Sequence, residues 1–210
     1  GAGEALPRAA LWTAAGGSIA SAALLILDLG RPLRFLNMLR VFKWRSPMSV
    51  GAWTLALFGG LATAAALLVE WSVRAGAAGG PPGGATVAAA GGAAVTGSVL
   101  STYTGVLVGS TAIPAWFTHR RALPIHFGVA GLGSAAAFLE LVGLRLPALN
   151  LLGLAAAGVE TVMGLLFELA RHGAADRALR TGRSGLLLRA SGMLAGPVAL
   201  ILRLVGWVPG

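Results

Sequence analysis

Six runs of this chain hold about 20 residues each of mostly Ala, Gly, Leu, Ile and Val, with charge kept to their edges or to single positions. An α-helix rises 1.5 Å per residue, so about 20 apolar residues cross a hydrocarbon core of about 30 Å. The runs fall at about 9–27, 48–70, 86–112, 124–143, 147–170 and 186–207. Backbone groups inside lipid find no water, so a run of this kind must satisfy its own hydrogen bonds as a helix. The predicted fold class is therefore all-α. It is a polytopic membrane helix bundle of about six transmembrane helices, read as one integral membrane domain over residues 1–210. Charged residues make up 11 % of the chain, where a soluble domain carries about 25 %. The first run ends in Asp28, Leu29, Gly30, Arg31 and Pro32 rather than at a small-residue cleavage site, so it reads as a span and not as a signal peptide.

The net charge of +9 would suggest nucleic acid in a soluble protein. Here topology explains it, and no nucleic-acid partner is expected. The first, third and fifth connections carry Arg31, Arg34, Arg40, Lys43, Arg45, Arg120, Arg121, Arg171, Arg177, Arg180 and Arg183. On the other side are Arg8, Arg74 and Arg145, while Arg189 and Arg203 lie in or near the sixth run. The positive-inside rule places the richer side in the cytoplasm. Cysteine is absent, and the three histidines are His119, His126 and His172. The chain is thus expected to ligate no haem and no metal.

Within the first connection, Leu33, Leu36, Leu39 and Phe42 recur at helical spacing, with Arg34, Asn37, Arg40 and Lys43 between them. That pattern predicts an interfacial amphipathic segment over about 31–45, started by Pro32. Arg34, Arg40 and Lys43 would then contact a partner or lipid. Asp28 reads in three ways: as a pair with Arg31, as the N-cap of that segment, or as a protonatable functional group. Tyr103, the one tyrosine, sits among Ser101, Thr102 and Thr104. It reads either as an interfacial-belt residue or as a buried hydroxyl that needs a partner. Glu140 and Glu160 fall within spans. They read as neutral carboxyls that hold helices together or as a proton path with Ser134 and Thr161. Glu70 and Glu168, near span ends, read as solvated, as does His119. His126 reads as a helix-start residue, and Trp44 and Trp116 as interfacial anchors.

The run LILDLGRPLRFLNMLRVFKWRSPMSVGAW (25–53) resembles a signature of the NrfD/PsrC family of polysulfide reductase-like membrane subunits of molybdopterin oxidoreductase complexes. The run STYTGVLVGSTAIPAWFTHRRALPIHFGVAGLGSAAA (101–137) resembles the family's second signature, and ELARHGAADRALRTGRSGLLLRASGML (168–194) its C-terminal basic loop. The resemblance implies a quinone-reactive subunit in a bacterial inner membrane. It would exchange electrons with a ferredoxin-like iron–sulfur subunit that serves a molybdopterin catalytic subunit. Its cofactor would be menaquinone or ubiquinone. Asp28 would handle a proton, held by Arg31, and Tyr103 with Thr104 would lie beside the quinone headgroup. Family members usually have eight or more spans, so the chain is expected to be a fragment that lacks outer helices. Two other functions stay open. One is a structural anchor with no quinone site, and the other is a transporter or channel subunit that uses Glu140 and Glu160.

Overall fold

The computed structural model describes residues 2–28, 30, 37, 39–76, 80–170 and 182–206. The described residues are helical with short connections, and none lies in a strand. The helices are α1 (Ala2–Asp28), α2 (Pro47–Arg74), α3 (Gly84–Gly109), α4 (Pro114–Thr118), α5 (Leu123–Leu141), α6 (Pro147–Ala170), α7 (Gly182–Met193) and α8 (Ala199–Gly206), with a π-helical turn at Leu194–Val198. Six segments are long and apolar enough to span a membrane: Arg8–Asp28, Pro47–Arg74, Gly84–Gly109, Leu123–Leu141, Pro147–Leu169 and Gly185–Gly206. The all-helical, six-span expectation is met. The chain is a multi-pass membrane protein.

Helix ends follow local chemistry. Ser46 caps α2, accepting from the Ser49 amide, and Pro47 fills the first turn, where a missing N–H costs nothing. The third span stops at Gly109, short of the run's apparent end. Ser110 and Thr111 turn instead, and Pro114 opens α4. Pro197 accounts for the π-helical turn in the sixth span. A proline inside a helix donates no hydrogen bond, and the ladder widens around the lost rung.

The chain forms two compact units, Gly1–Tyr103 and Thr104–Gly210. In the first, α1 and α2 pack together around Ala15, Ala62 and Ala93, with Ala14, Phe58 and Leu61 against them. Ala62 is fully buried. Gly59 lies against Ser18, Gly92 against Leu61 and Gly97 against Phe58. Leu24, Leu27, Leu67 and Val95 face outward. This is the arrangement lipid favours: small residues let backbones approach, and large apolar residues meet acyl chains. Arg8 closes one end of the unit through Glu70 at 2.7 Å, with Arg74 at 3.4 Å from the same carboxylate. Glu70 is therefore paired rather than simply solvated. Its side chain is 16 % exposed, and two guanidiniums share its charge.

In the second unit α5 packs on α6, and α6 on the π-helical turn and α8. A methyl group at Gly133 would come within 3.1 Å of Ala156, and one at Gly196 within 3.0 Å of the Thr161 backbone, so both helices approach closely at these glycines. Gly196 and Arg203 are seven residues apart, two helical turns, so both face α6. Gly153 of α6 lies directly against the Arg203 guanidinium.

Candidate functional site

The first candidate site lies where α1 ends and α2 begins. Asp28 is the last residue of α1 and is exposed, and Gly30 follows with φ +64°. A left-handed φ is strained for most residues but open to glycine, so the chain turns sharply just after the aspartate. Arg31, Arg34 and most of the predicted amphipathic segment lie outside the described residues. Of that segment, Asn37, Leu39 and Arg40 are helical, and residues 41–46 form bends and turns. Arg40 and Lys43 are exposed. The turn is fastened to α2. The Lys43 amide donates to Ser49 Oγ at 3.0 Å, and Phe42 packs edge-on to Trp53 with ring centroids 6.1 Å apart. The Trp53 indole N–H is buried without a partner among the described residues.

Tyr103 reaches the same end of the unit. Its ring lies on the bare backbone of Gly51, one turn into α2, where even a methyl group would collide with the ring. Its surroundings separate it from its polar neighbours. Ser101 donates to the Ser98 carbonyl at 2.9 Å, and Thr102 to the Val99 carbonyl at 2.9 Å. Those hydroxyls are satisfied within their own helix, as Ser and Thr side chains often are in apolar surroundings. The Tyr103 hydroxyl has no hydrogen-bond partner among the described residues, and neither does the Asp28 carboxylate. Thr104 is exposed and falls in the other unit. No hydrogen bond joins Asp28 to Tyr103; the structure puts them beside one connection, not in contact.

The second unit holds a different constellation. Arg203 donates to both oxygens of Glu140, at 2.9 and 2.7 Å, and to Asn150 Oδ1 at 3.2 Å. This bidentate fork is the strongest common ion-pair geometry. Glu160 is 7 % exposed and lies with Oε2 3.0 Å from His126 Nδ1. The ring N–H is not aimed for a hydrogen bond, and Glu160 Oε1 has no partner among the described residues. His126 and His119 both pack edge-on to Phe167, at 5.8 and 5.1 Å. His119 Nε2 is buried without a described partner, so this histidine is not simply solvated. A cavity of about 200 Å³ lies among α5, α6, the π-helical turn and α8, lined by Ser134, Glu160 and Arg203 and otherwise by small apolar residues. Thr161, expected to join a path with Glu140 and Glu160, instead donates to the Ala157 carbonyl at 2.7 Å.

The partners of the two intramembrane acids, Arg203 and His126, were not paired with them in the sequence reading. One signal was present. An arginine in an apolar span needs a counter-charge, and Glu140 and Glu160 were the acids read as falling within spans. Among the described residues no group of three or more His, Cys, Asp or Glu comes together in a way that could hold a metal ion.

Comparison with protein families matches residues 4–170 to the family described as polysulphide reductase, NrfD. The chain belongs to the NrfD family. Members are membrane subunits of molybdopterin oxidoreductase complexes, and they typically partner with iron–sulfur and molybdopterin subunits. The match takes in the first two signature runs, 25–53 and 101–137, and stops near the start of the third. Most of that third run's basic stretch, residues 171–181, lies outside the described residues. No curated protein and no solved structure matches the chain.

Proposed function

We propose that this chain is the quinone-reactive membrane subunit of such a complex in a bacterial cytoplasmic membrane, with its quinone headgroup site at the Asp28–Tyr103 end of the first unit. One observation carries the reading. In a span where the Ser101 and Thr102 hydroxyls are bonded to their own helix, the Tyr103 hydroxyl sits over the bare backbone of Gly51 with no partner among the described residues. Tyr103 is half-buried, and its free hydroxyl is available to an acceptor from outside the unit. A quinone carbonyl is an acceptor of the right kind.

When bound, menaquinone or ubiquinone supplies the two-electron, two-proton chemistry. The chain's own residues position it and handle protons. Tyr103 Oη donates a hydrogen bond to a quinone oxygen. Asp28, exposed at the end of α1, accepts a proton and passes it to water at the same end. Arg31 would orient the carboxylate, and Arg34, Arg40 and Lys43 would face the iron–sulfur partner or anionic headgroups. The electrons go to that ferredoxin-like subunit and on to the molybdopterin subunit.

Quinol oxidation by the assembled complex tests the assignment. Tyr103→Phe removes one hydroxyl and keeps the ring. Asp28→Asn keeps the shape and cannot take the proton. A general acid or base contributes typically about 10²–10⁴-fold, so each variant should lose at least about tenfold in turnover while assembly is unchanged. Wild-type rates in both variants would leave a structural corner in place of the site.

A further inference from the structure

The second unit contains polar groups that the quinone reading does not use. They form a file from one end of α5 to the other. His126 lies in the first turn of α5, and Glu140 in its last. Fourteen residues of helix separate them, about 21 Å of a hydrocarbon core of about 30 Å. Between them lie Glu160, at the middle of α6, and the cavity it shares with Ser134 and Arg203.

Exposure along the file is graded. The His126 side chain is 35 % exposed, that of Glu160 6 %, that of Arg203 14 % and that of Glu140 26 %. The two end groups are therefore the more exposed, and Glu160 is the least. The centre also holds a carboxyl oxygen, Glu160 Oε1, with no partner among the described residues. A buried oxygen of this kind costs stability unless something satisfies it. The nearest source is the cavity that Glu160 lines. One water needs roughly 10–15 Å³ of such space, so the cavity has room for water, and Ser134, Glu160 and Arg203 give water the partners that an apolar void lacks.

The two ends differ in kind. At the His126 end two titratable groups sit 3.0 Å apart, and a small rotation of the imidazole would align its N–H with the carboxylate for proton exchange. At the other end Arg203 holds Glu140 with both nitrogens and leans on Asn150. A guanidinium does not give up its proton, and its fixed positive charge at the cavity repels an arriving hydronium. The first end can pass a proton, and the second blocks it.

We propose that the unit Thr104–Gly210 is a proton half-path, open through His126 and Glu160 and plugged by the Arg203–Glu140 pair. The proton leaves His126 Nδ1 for Glu160 Oε2, and rotation of the carboxyl group turns that O–H toward a cavity water, which takes the proton and leaves the carboxylate. The imidazole returns to its neutral form and is reprotonated from its own end of the bundle. No electron moves, and the charge carried in is one proton. The proton stops at the cavity while Arg203 and Glu140 stay paired. The groups facing Glu160 are His126 from α5 and Arg203 from α8, with Glu140 held behind the arginine. The half-path stands on the second unit alone, so it is independent of the Tyr103 assignment.

Proteoliposomes of the full chain, loaded with a pH-reporting dye and given a potassium diffusion potential in both polarities, test the plug. Wild-type vesicles should hold their pH gradient. The paired change Arg203→Gln with Glu140→Gln removes both charges and leaves no orphaned ion, and it should collapse the gradient. Adding Glu160→Gln should restore tightness to the wild-type level. A paired variant as tight as wild type, with an unchanged melting curve, overturns the proposal. So does a leak that survives Glu160→Gln. A second measurement uses only the wild-type protein. Dicyclohexylcarbodiimide reacts with a protonated carboxylic acid inside the membrane. Mass mapping should find the adduct on Glu160 and not on Glu140, whose oxygens are held by Arg203. Label on Glu140 alone, or on neither, overturns the proposal.

Discussion

The Arg8–Glu70 and Arg203–Glu140 pairs have the same ion-pair distance, 2.7 Å, but occupy different places in the two units. Arg8 has a side chain 47 % exposed, and Arg74 also lies near Glu70. Arg203 is 14 % exposed and touches α6 at Gly153, which has no side chain to displace it. The interiors differ in the same direction. The first unit packs around Ala15, Ala62 and Ala93, and its candidate chemistry, Asp28 and Tyr103, is at an end. The second buries Glu160 mid-helix beside a cavity. Charge at an end fastens helices cheaply, because water and headgroups remain within reach. Charge in the interior needs a dedicated partner, and where such partners persist they mark chemistry more readily than stability.

The difference can be broken most severely at the arginines. Glu140 lies in the last turn of α5 with its side chain 26 % exposed, so Arg203→Leu, which leaves it without its partner, should cost about 1–3 kcal/mol. Arg203→Leu with Glu140→Leu should recover most of that. Arg8→Leu, at an exposed pair, should cost no more than about 1 kcal/mol. Reversible unfolding in mixed micelles measures all three, and equal costs for the two arginines would erase the distinction between the units.

Packing gives the next effect. Ala62 has no exposed surface, and Ala62→Leu should cost about 1–3 kcal/mol through overpacking. The same measurement on Leu27→Ala, at a side chain that is 75 % exposed, should move stability by no more than about 0.5 kcal/mol. The smallest expected stability effect is at Tyr103→Phe, within about 0.5 kcal/mol, because no described residue accepts its hydroxyl. A large loss there would mean that the hydroxyl is structural, and it would remove the main support for the quinone site.

Much of the fold was legible from the sequence, because a span is a property of length and composition that neighbours cannot override in lipid. The π-helical turn at Pro197 was not anticipated: the sixth run read as one continuous span. The pairing of elements was not legible. Arg203 with Glu140 and His126 with Glu160 are 63 and 34 positions apart in sequence, and which helix faces which depends on where glycines permit close approach. Gly153 opposite Arg203 and Gly51 opposite Tyr103 decide those meetings, yet each looks like any other glycine in a small-residue helix. Asp28 and Tyr103 stood out as an acid at a span end and as the one tyrosine, and the family resemblance supplied their expected place beside a quinone. The structure places them at one connection without joining them, and Arg31 and Arg34 fall outside the described residues.

A photoreactive quinone analogue, cross-linked in native membranes and mapped by peptide mass, asks directly which unit takes the quinone. The account predicts adducts on the α2 segment around Gly51 to Trp53 and on the α3 segment around Tyr103, competed away by unlabelled quinone and reduced in Tyr103→Phe. Competable adducts confined to α5 or α6, around His126 and Glu160, would contradict it and move the quinone to the unit assigned here to protons alone.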